Sequence, residues 1–476
     1  MTGREYFYLG TDPQNPQRLY WLPLEERRAH MAIWGSSGAG KSNLQLDLIG
    51  QDIGAGRGLG LIDAKGDTFD DVLAALAAVP EAGWRDLARD LIIIDPTDPA
   101  CSAAFNPLEV HPWGSPARQR AEIVSIFRKI WELSEAQAPR MSLIIRRAVQ
   151  LAMENSMTLV NLPRLLTDGE LRAYLVDNSA DEALKTFWSY EFPTSPAAQA
   201  QWSASTLSRL EGLLDDPAVR RLLGQPKSTF DFRQAMDEGK ILLVNLARGR
   251  LGHETAYLLG AFLLAEFQMA AESRAGLPQE QRQMFYLYVD EFQNFATRSF
   301  EQMLADSRGY AVSLIMANQN LAQVDQDLRR AVFANARIRL AFRLSFEDAA
   351  LVAPEFWRFD GNRVKETRWN TMRLGRLYIP LPEPVYASGG EESRENKELL
   401  HFIPDRLMAV HVQGDASPVL LRTMEMPRDR LAASRKLVPR LKAMAYPPCD
   451  AESAREAGLG TASPGSEERS YEWAGP

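Results

Sequence analysis

Gly35-Ser36-Ser37-Gly38-Ala39-Gly40-Lys41-Ser42 follows the apolar run Met31-Ala32-Ile33-Trp34 and runs into Asn43-Leu44-Gln45-Leu46-Asp47-Leu48-Ile49, a helix-compatible stretch. G-x-x-x-x-G-K-[ST] set between a strand and a helix is the pattern of a phosphate-binding loop. Its glycines let backbone N–H groups turn inward around the β- and γ-phosphates of a nucleotide. The unpaired N–H groups and dipole of the following helix favour the same negative charge. The spacing assigns Lys41 to the β/γ-phosphates and the Ser42 hydroxyl to Mg²⁺, with residues 35–42 as the nucleotide cradle.

Outward from the loop, short apolar runs alternate with helical ones. Leu59-Gly60-Leu61-Ile62-Asp63 reads as a buried strand, 70–79 as a helix, and Leu91-Ile92-Ile93-Ile94-Asp95 as a further strand. That alternation predicts an α/β fold with a mainly parallel sheet covered on both faces. Ahead of the core, the runs 5–10 and 18–22 flank a turn-rich stretch and predict a fringe hairpin within residues 1–28. Residues 29–112 and 236–425 are expected to form the core, and 113–235, which show only helical periodicity, an inserted all-alpha domain. The resumed core carries the strand Lys240-Ile241-Leu242-Leu243-Val244-Asn245-Leu246, a helix over 254–273, a strand ending in Val289-Asp290-Glu291, a helix over 299–308, and strands over 311–319 and 338–343. Between 360 and 398 periodicity is lost, and Pro380, Pro382 and Pro384 predict loop or linker. A hairpin across Gly414-Asp415 is expected next, and 446–476, rich in Pro, Gly, Ser, Ala and Glu, reads as a disordered tail.

At 476 residues the chain can bury a large core, and its net charge of −8 argues against a surface that is basic throughout. Nucleic acid in a local channel stays open, because binding follows the local field and not the sum. Cys101 and Cys449 give neither a disulfide framework nor a zinc spacing and fit a reducing cytosol. The histidines form no ligand pattern. No signal-peptide apolar region opens the chain. The most hydrophobic segment, 257–271, is interrupted by Glu266 and Gln268 and is short for a bilayer, so no integral membrane span is expected.

Hydrolysis of a nucleoside triphosphate needs a second Mg²⁺ anchor and a group that activates water. Asp290 and Glu291 end an apolar run, where a buried strand would deliver them beside the phosphate loop; Asp290 is the candidate metal-shell carboxylate and Glu291 the candidate base. Gln319 ends the next strand, either to sense the γ-phosphate or simply as a polar residue where a strand surfaces. Arg308 precedes Gly309-Tyr310 at a helix end. It is read as an arginine finger completing a neighbouring subunit's site, or as a cation that complements the helix dipole. Asp63, Lys65 and Asp67 lie at another strand's C-terminal end, the side on which open α/β sheets bind ligands, and singly are ordinary loop charges. Arg146 and Arg147 in the insert, and Arg368 with Trp369 in a basic run, are candidate DNA contacts, against the alternatives of a solvated helix face and a charged linker.

These residues together resemble the FtsK/HerA superfamily of ring-forming motor ATPases, and within it the conjugative type IV coupling proteins of the TraD/TraG kind. The likeness rests on His30-Met31-Ala32-Ile33-Trp34-Gly35 entering the loop, Ile62-Asp63-Ala64-Lys65-Gly66-Asp67, Phe105-Asn106-Pro107-Leu108, Val289-Asp290-Glu291-Phe292, and Arg308-Gly309 through Ala317-Asn318-Gln319. It implies a RecA-like P-loop NTPase core, ATP and Mg²⁺ as cofactors, a homo-hexamer that moves DNA, and a relaxosome or secretion-channel partner. A HerA-like ATPase serving a nuclease, and a nucleotide-gated assembly switch, are the alternatives. Typical coupling proteins enter through transmembrane helices, whereas this chain begins close to its core. A cytoplasmic protein is therefore expected, reaching the inner membrane only through a partner.

Overall fold

In the computed structural model, described over residues 5–98, 102–133, 139–295, 297–374, 377–425 and 428–446, the apolar runs become the strands of one large sheet. The chain opens with β1 (Tyr6–Thr11), β2 (Leu19–Pro23), β3 (His30–Trp34), α1 (Lys41–Gly54), β4 (Gly58–Asp63), α2 (Asp67–Ala77), α3 (Trp84–Asp90) and β5 (Leu91–Ile94). Helices then follow one another: α4 (Pro116–Ile130), α5 (Pro139–Glu154), α6 (Leu162–Thr167), α7 (Gly169–Asp177), α8 (Glu182–Thr186), α9 (Pro196–Leu214), α10 (Pro217–Leu223) and α11 (Phe232–Asp237). Strands resume with β6 (Ile241–Asn245), α12 (Arg248–Leu251), α13 (His253–Ser273), β7 (Phe285–Asp290), α14 (Arg298–Asp306), β8 (Val312–Asn318), α15 (Gln326–Asn335), β9 (Ala336–Ala341) and α16 (Phe346–Phe356). The rest is β10 (Val364–Leu374), β11 (Leu377–Tyr386), α17 (Gly389–Phe402), β12 (Leu407–Val412), β13 (Val419–Arg422), α18 (Arg428–Ser434) and α19 (Val438–Ala445).

The sheet runs β2-β1-β13-β12-β9-β3-β8-β7-β4-β6-β5. From β9 to β5 every pairing is parallel, and β12, β13, β1 and β2 add an antiparallel wing. Side chains alternate across a strand, so β3 feeds two cores. Met31 and Ile33 pack with Leu44, Leu48 and Phe69 of α1 and α2 on one face. Ala32 and Trp34 join Phe127 and Phe262 on the other. Phe127 of α4 meets Phe262 of α13 edge-on at 5.6 Å, so the helices between β5 and β6 share a core with the sheet and do not stand apart from it.

The expected loop or linker over 360–398 is corrected. It contains the antiparallel ribbon β10–β11 and the start of α17, capped by a Ser388–Glu391 box. Three prolines hid the strand. Pro380, Pro382 and Pro384 occupy alternate positions, so their missing N–H groups all face the ribbon's outer edge and cost the ladder nothing. The fringe hairpin forms as β1–β2 but is tied into the main sheet through β13. Beyond 425, α18 and α19 close over α2 and α3, and the Tyr446 hydroxyl accepts from the Ile93 N–H at 2.7 Å. The remainder of the expected tail, with Cys101 and Cys449, lies outside the described residues.

One buried polar knot ties the helix after the phosphate loop to the strand that carries the acids. Arg27 forms a two-pronged contact with Asp52 of α1, both bonds at 2.9 Å, and the Tyr288 hydroxyl of β7 donates to the same carboxylate at 2.5 Å. Arg57 reaches Asp52 at 3.1 Å, and the Arg27 and Asp52 side chains are wholly buried. Removing one partner of such a pair strands a charge, whereas replacing both with apolar groups does not. Asp52→Ala is therefore expected to lower the unfolding free energy by roughly 3–5 kcal/mol in urea, and the double change Arg27→Met with Asp52→Leu by less than that single one. Equal or greater loss in the double variant would contradict this account of the knot.

Candidate active site

Along the C-terminal edge of the sheet, the order β3-β8-β7-β4 sets the phosphate loop, Gln319, Asp290 with Glu291, and Asp63 side by side. β8 intervenes between loop and acids. Two strand spacings leave a gap of about 10 Å, enough for a phosphate chain with its cation. A cleft of about 300 Å³ opens there, lined among others by Gly38, Gly40, Lys41, Ser42, Asp63, Lys65, Asp290 and Gln319.

The loop needs its glycines for two different reasons. Gly40 caps α1 at φ +126, a conformation side chains rarely adopt. Gly35 lies so close to β9's flank that a Cβ on it would stand 2.7 Å from the Phe342 Cβ. Lys41 is buried and folds back onto the loop, donating to the Gly35 carbonyl and, at 3.1 Å, to that of Ser36. Burial pulls its pKa down to about 8, with Lys65 adding to the fall while Asp290 and Glu291 oppose it.

Asp290 is pushed the other way. Burial chiefly, then the neighbouring Asp63 and Glu291 charges, raise it from an ordinary 3.8 to about 7, with Lys65 and Lys41 holding it back. Two neighbouring carboxylates, Asp63 and Asp290, face an exposed serine across the cleft, and Ser42 and Asp290 could hold Mg²⁺, which would neutralise phosphate charge there. Asp63 is itself fixed, accepting from the Lys65 and Phe69 N–H groups at 2.9 Å each.

Glu291 sits just past β7 at φ +51, in the left-handed region, buried, with its carboxylate held on several sides. Lys65 Nζ reaches Oε1 at 3.3 Å, while Gln293 Nε2 at 2.9 Å and the Gln319 N–H at 3.4 Å reach Oε2. Gln293 in turn accepts from Asn318 Nδ2 at 2.6 Å. The end of β8 is thus wired to the acid that ends β7. Gln319's backbone carries this link, and its side chain lines the cleft.

Arg308 is elsewhere. It follows α14 in the turn before β8, exposed, at the N-terminal edge of the sheet, near His30 at the start of β3. The length of β8, about 23 Å at 3.3 Å per residue, separates it from its own chain's phosphate loop.

The candidate DNA contacts lie on other surfaces. Arg146 is exposed on α5 and, with Arg120 and Arg128 of α4, lines a cavity of about 350 Å³. Arg147 does not join it, because neighbours on a helix point about 100° apart. Its guanidinium lies over Phe187, 5.6 Å from the ring centre, and Nη1 donates to Gln150 at 3.5 Å. Arg368 and Trp369 stand on β10, where Arg368 pairs with Glu366 at 2.7 Å and Trp369 is 68% exposed opposite Pro382.

Gln293 and Arg406 belong to the site although the sequence singled out neither, and Lys65, read there only as one of a strand-end cluster, is part of it too. Lys65 stood in a strand-end cluster whose position was the available signal. Arg406 reaches the loop from 365 positions after Lys41, and nothing local marks it.

One stretch of the sequence and the overall fold resemble known proteins. The family model described as the TraM recognition site of TraD and TraG matches residues 284–352, the stretch from β7 to α16 that includes Asp290, Glu291, Arg308 and Gln319. The fold resembles that of the bacterial conjugative coupling protein TrwBdeltaN70, at 16% identity and a TM-score of 0.55 over 85% of this chain and 86% of that one. TrwB in complex with ADP and Mg²⁺ gives 16% identity and 0.55 over 89% and 90%. VirB4 of Thermoanaerobacter pseudethanolicus gives 13% and 0.57 over 90% and 98%. No curated protein matches the sequence. The likeness bears out the coupling-protein resemblance read from the motifs, and the fold is that of a RecA-like P-loop NTPase. Among the described residues no helix is long and apolar enough to cross a membrane.

The Asp290 shift has a measurable sign. Between pH 3.8 and about 7 the folded protein keeps a proton there that the unfolded chain has released, so stability falls as pH rises through that window. In protein free of nucleotide and Mg²⁺, Asp290→Asn should gain about 2–3 kcal/mol relative to wild type between pH 5 and pH 8. Parallel urea curves across that range would show that Asp290 ionises normally.

Proposed function

We propose that this chain is an ATP- and Mg²⁺-dependent motor that moves DNA as a homo-hexamer, of the conjugative coupling-protein kind. The observation that carries the proposal is the meeting of Lys41, Ser42, Asp290 and Gln319 on one cleft, with Glu291 bonded to the Gln319 N–H beside it and the finger candidate Arg308 on the opposite edge.

In this scheme Lys41 exchanges the loop carbonyls for the β/γ-phosphates, and Ser42 and Asp290 hold Mg²⁺. Glu291, kept in place by Lys65 and Gln293, accepts a proton from the attacking water. Gln319 touches the γ-phosphate end, and its backbone bond to Glu291 passes that contact to the base. Arg308 serves a neighbour's cleft, which makes the site incomplete in a monomer. DNA is assigned to Arg146 with its flanking arginines and to the ribbon bearing Arg368 and Trp369, where backbone phosphate pairing and base stacking need no sequence. The match over 284–352 supports a relaxosome partner for that region.

ATP turnover should rise on adding DNA. Lys41→Ala should lose nucleotide binding, and Glu291→Gln should keep it while kcat falls about 10²–10⁴-fold. In mixtures, Arg308→Ala subunits should bind ATP yet depress turnover of wild-type partners more steeply than dilution does. Turnover indifferent to every DNA offered, or an Arg308→Ala protein active as an isolated monomer, would sink the motor and the finger respectively.

A further inference from the structure

Arg406 lies against the phosphate loop without a part in the scheme above. It falls four residues after α17, in the turn into β12, with φ at +66. Its N–H donates to the Ala39 carbonyl at 2.8 Å, and its own carbonyl accepts from the Thr423 N–H at 2.9 Å. Its Cα would stand 3.4 Å from a Cβ placed on Gly40. The backbone is thus fastened to the loop on one side and to the end of β13 on the other. The residue lines the cleft together with Gly38, Gly40, Ser42 and Asn43.

A left-handed conformation in an arginine costs on the order of 1 kcal/mol and persists where the surroundings impose it, commonly at ligand sites. The ion pair that the side chain makes does not account for it. Nη1 meets Glu425 Oε1 at 2.6 Å, but the arginine side chain is 39% and the glutamate 71% exposed. A pair so wetted contributes little. Asp63 and Asp290 belong to β4 and β7, across β8 from the loop, whereas Arg406 shares the cleft with Gly38, Gly40 and Ser42 and its backbone touches the loop just before the start of α1. Cation, helix N-terminus and loop amides there converge on one kind of ligand, a phosphate.

We propose that Arg406 is a nucleotide ligand acting in cis: its guanidinium leaves Glu425 and bonds the phosphates common to ADP and ATP. This rests on the nucleotide reading of the cleft and adds to it an arginine from the C-terminal part of the chain. Glu425 acts as a stand-in acceptor that competes with the nucleotide for the same side chain.

Binding of a fluorescent ADP and of a non-hydrolysable ATP analogue, each with Mg²⁺, tests this on the full chain. Arg406→Ala should weaken both by about tenfold or more, and by the same factor, since charged hydrogen bonds to a shared group are lost. Arg406→Lys should recover part of the loss. Glu425→Gln, which leaves the arginine and its loop contact in place, should tighten both severalfold by removing the competitor, and this variant decides the matter should Arg406→Ala melt early without nucleotide. Unchanged affinities in Arg406→Ala, a loss confined to the ATP analogue, or no tightening in Glu425→Gln each overturn the proposal. Lys41→Ala in the same titration separates the two readings: a wild-type protein that binds neither nucleotide overturns the nucleotide site itself, whereas one that needs Lys41 but ignores Arg406 overturns only the arginine.

Discussion

The carboxylate of Asp52 is the constraint on which the site depends. Lys41 begins α1 and Asp52 lies near its end, while Tyr288 stands two residues before Asp290 on β7. Because Arg27 and Tyr288 both bond Asp52, the helix that aims the lysine and the strand that aims the acid share one anchor. Apolar side chains would fill the same volume at no less stability. They would not fix how far α1 slides along the sheet, because dispersion contacts between a helix and a sheet face change little over such a shift, whereas a two-pronged guanidinium–carboxylate contact does not survive it. The knot is better understood as setting a distance between Lys41 and Asp290 than as a reservoir of stability.

Given that fixed frame, the charges of the cleft are in tension. Lys41 is held below its usual pKa and Asp290 well above, each because burial opposes its charged form. Their mutual attraction is spread over other groups, since Lys65 turns to Glu291 and Lys41 to loop carbonyls. An anion on the loop and a cation by Asp290 would satisfy both at once. Poor electrostatics in the folded protein and tight fit to a charged ligand are two sides of one arrangement, which is why perturbed groups gather at functional sites.

The sequence exposed those parts of the fold whose physics is local. Strands buried on both faces are continuous apolar runs, so β3, β4, β5, β6, β7 and β8 stood out, as did the loop whose glycines are set by its own backbone. The ribbon β10–β11 was hidden because an exposed strand carries no apolar alternation, and proline on a free edge resembles a linker. Arg147 resembled its neighbour Arg146 because composition carries no direction, and only the packing of Phe187 turned it inward. Glu291 stood out as a candidate base, but the groups that hold it, Lys65 and Gln293, come from the end of β4 and from the turn after β7. Arg406 was silent: its place follows from a bond to the Ala39 carbonyl that no spacing encodes.

Opposed edges limit how copies of this chain can cooperate. The cleft opens at the C-terminal ends of the parallel strands and Arg308 at the N-terminal end of β8, so a two-fold contact made across either edge alone would pair cleft with cleft or arginine with arginine. Neither pairing brings an arginine to a cleft. A head-to-tail contact does, and such a contact repeats until its rotation closes a ring or, failing closure, extends as a filament. In a closed ring every cleft has a finger and none is left over, whereas a short open array always has one cleft without. On the proposed trans role of Arg308, a head-to-tail assembly therefore ties full activity to closure.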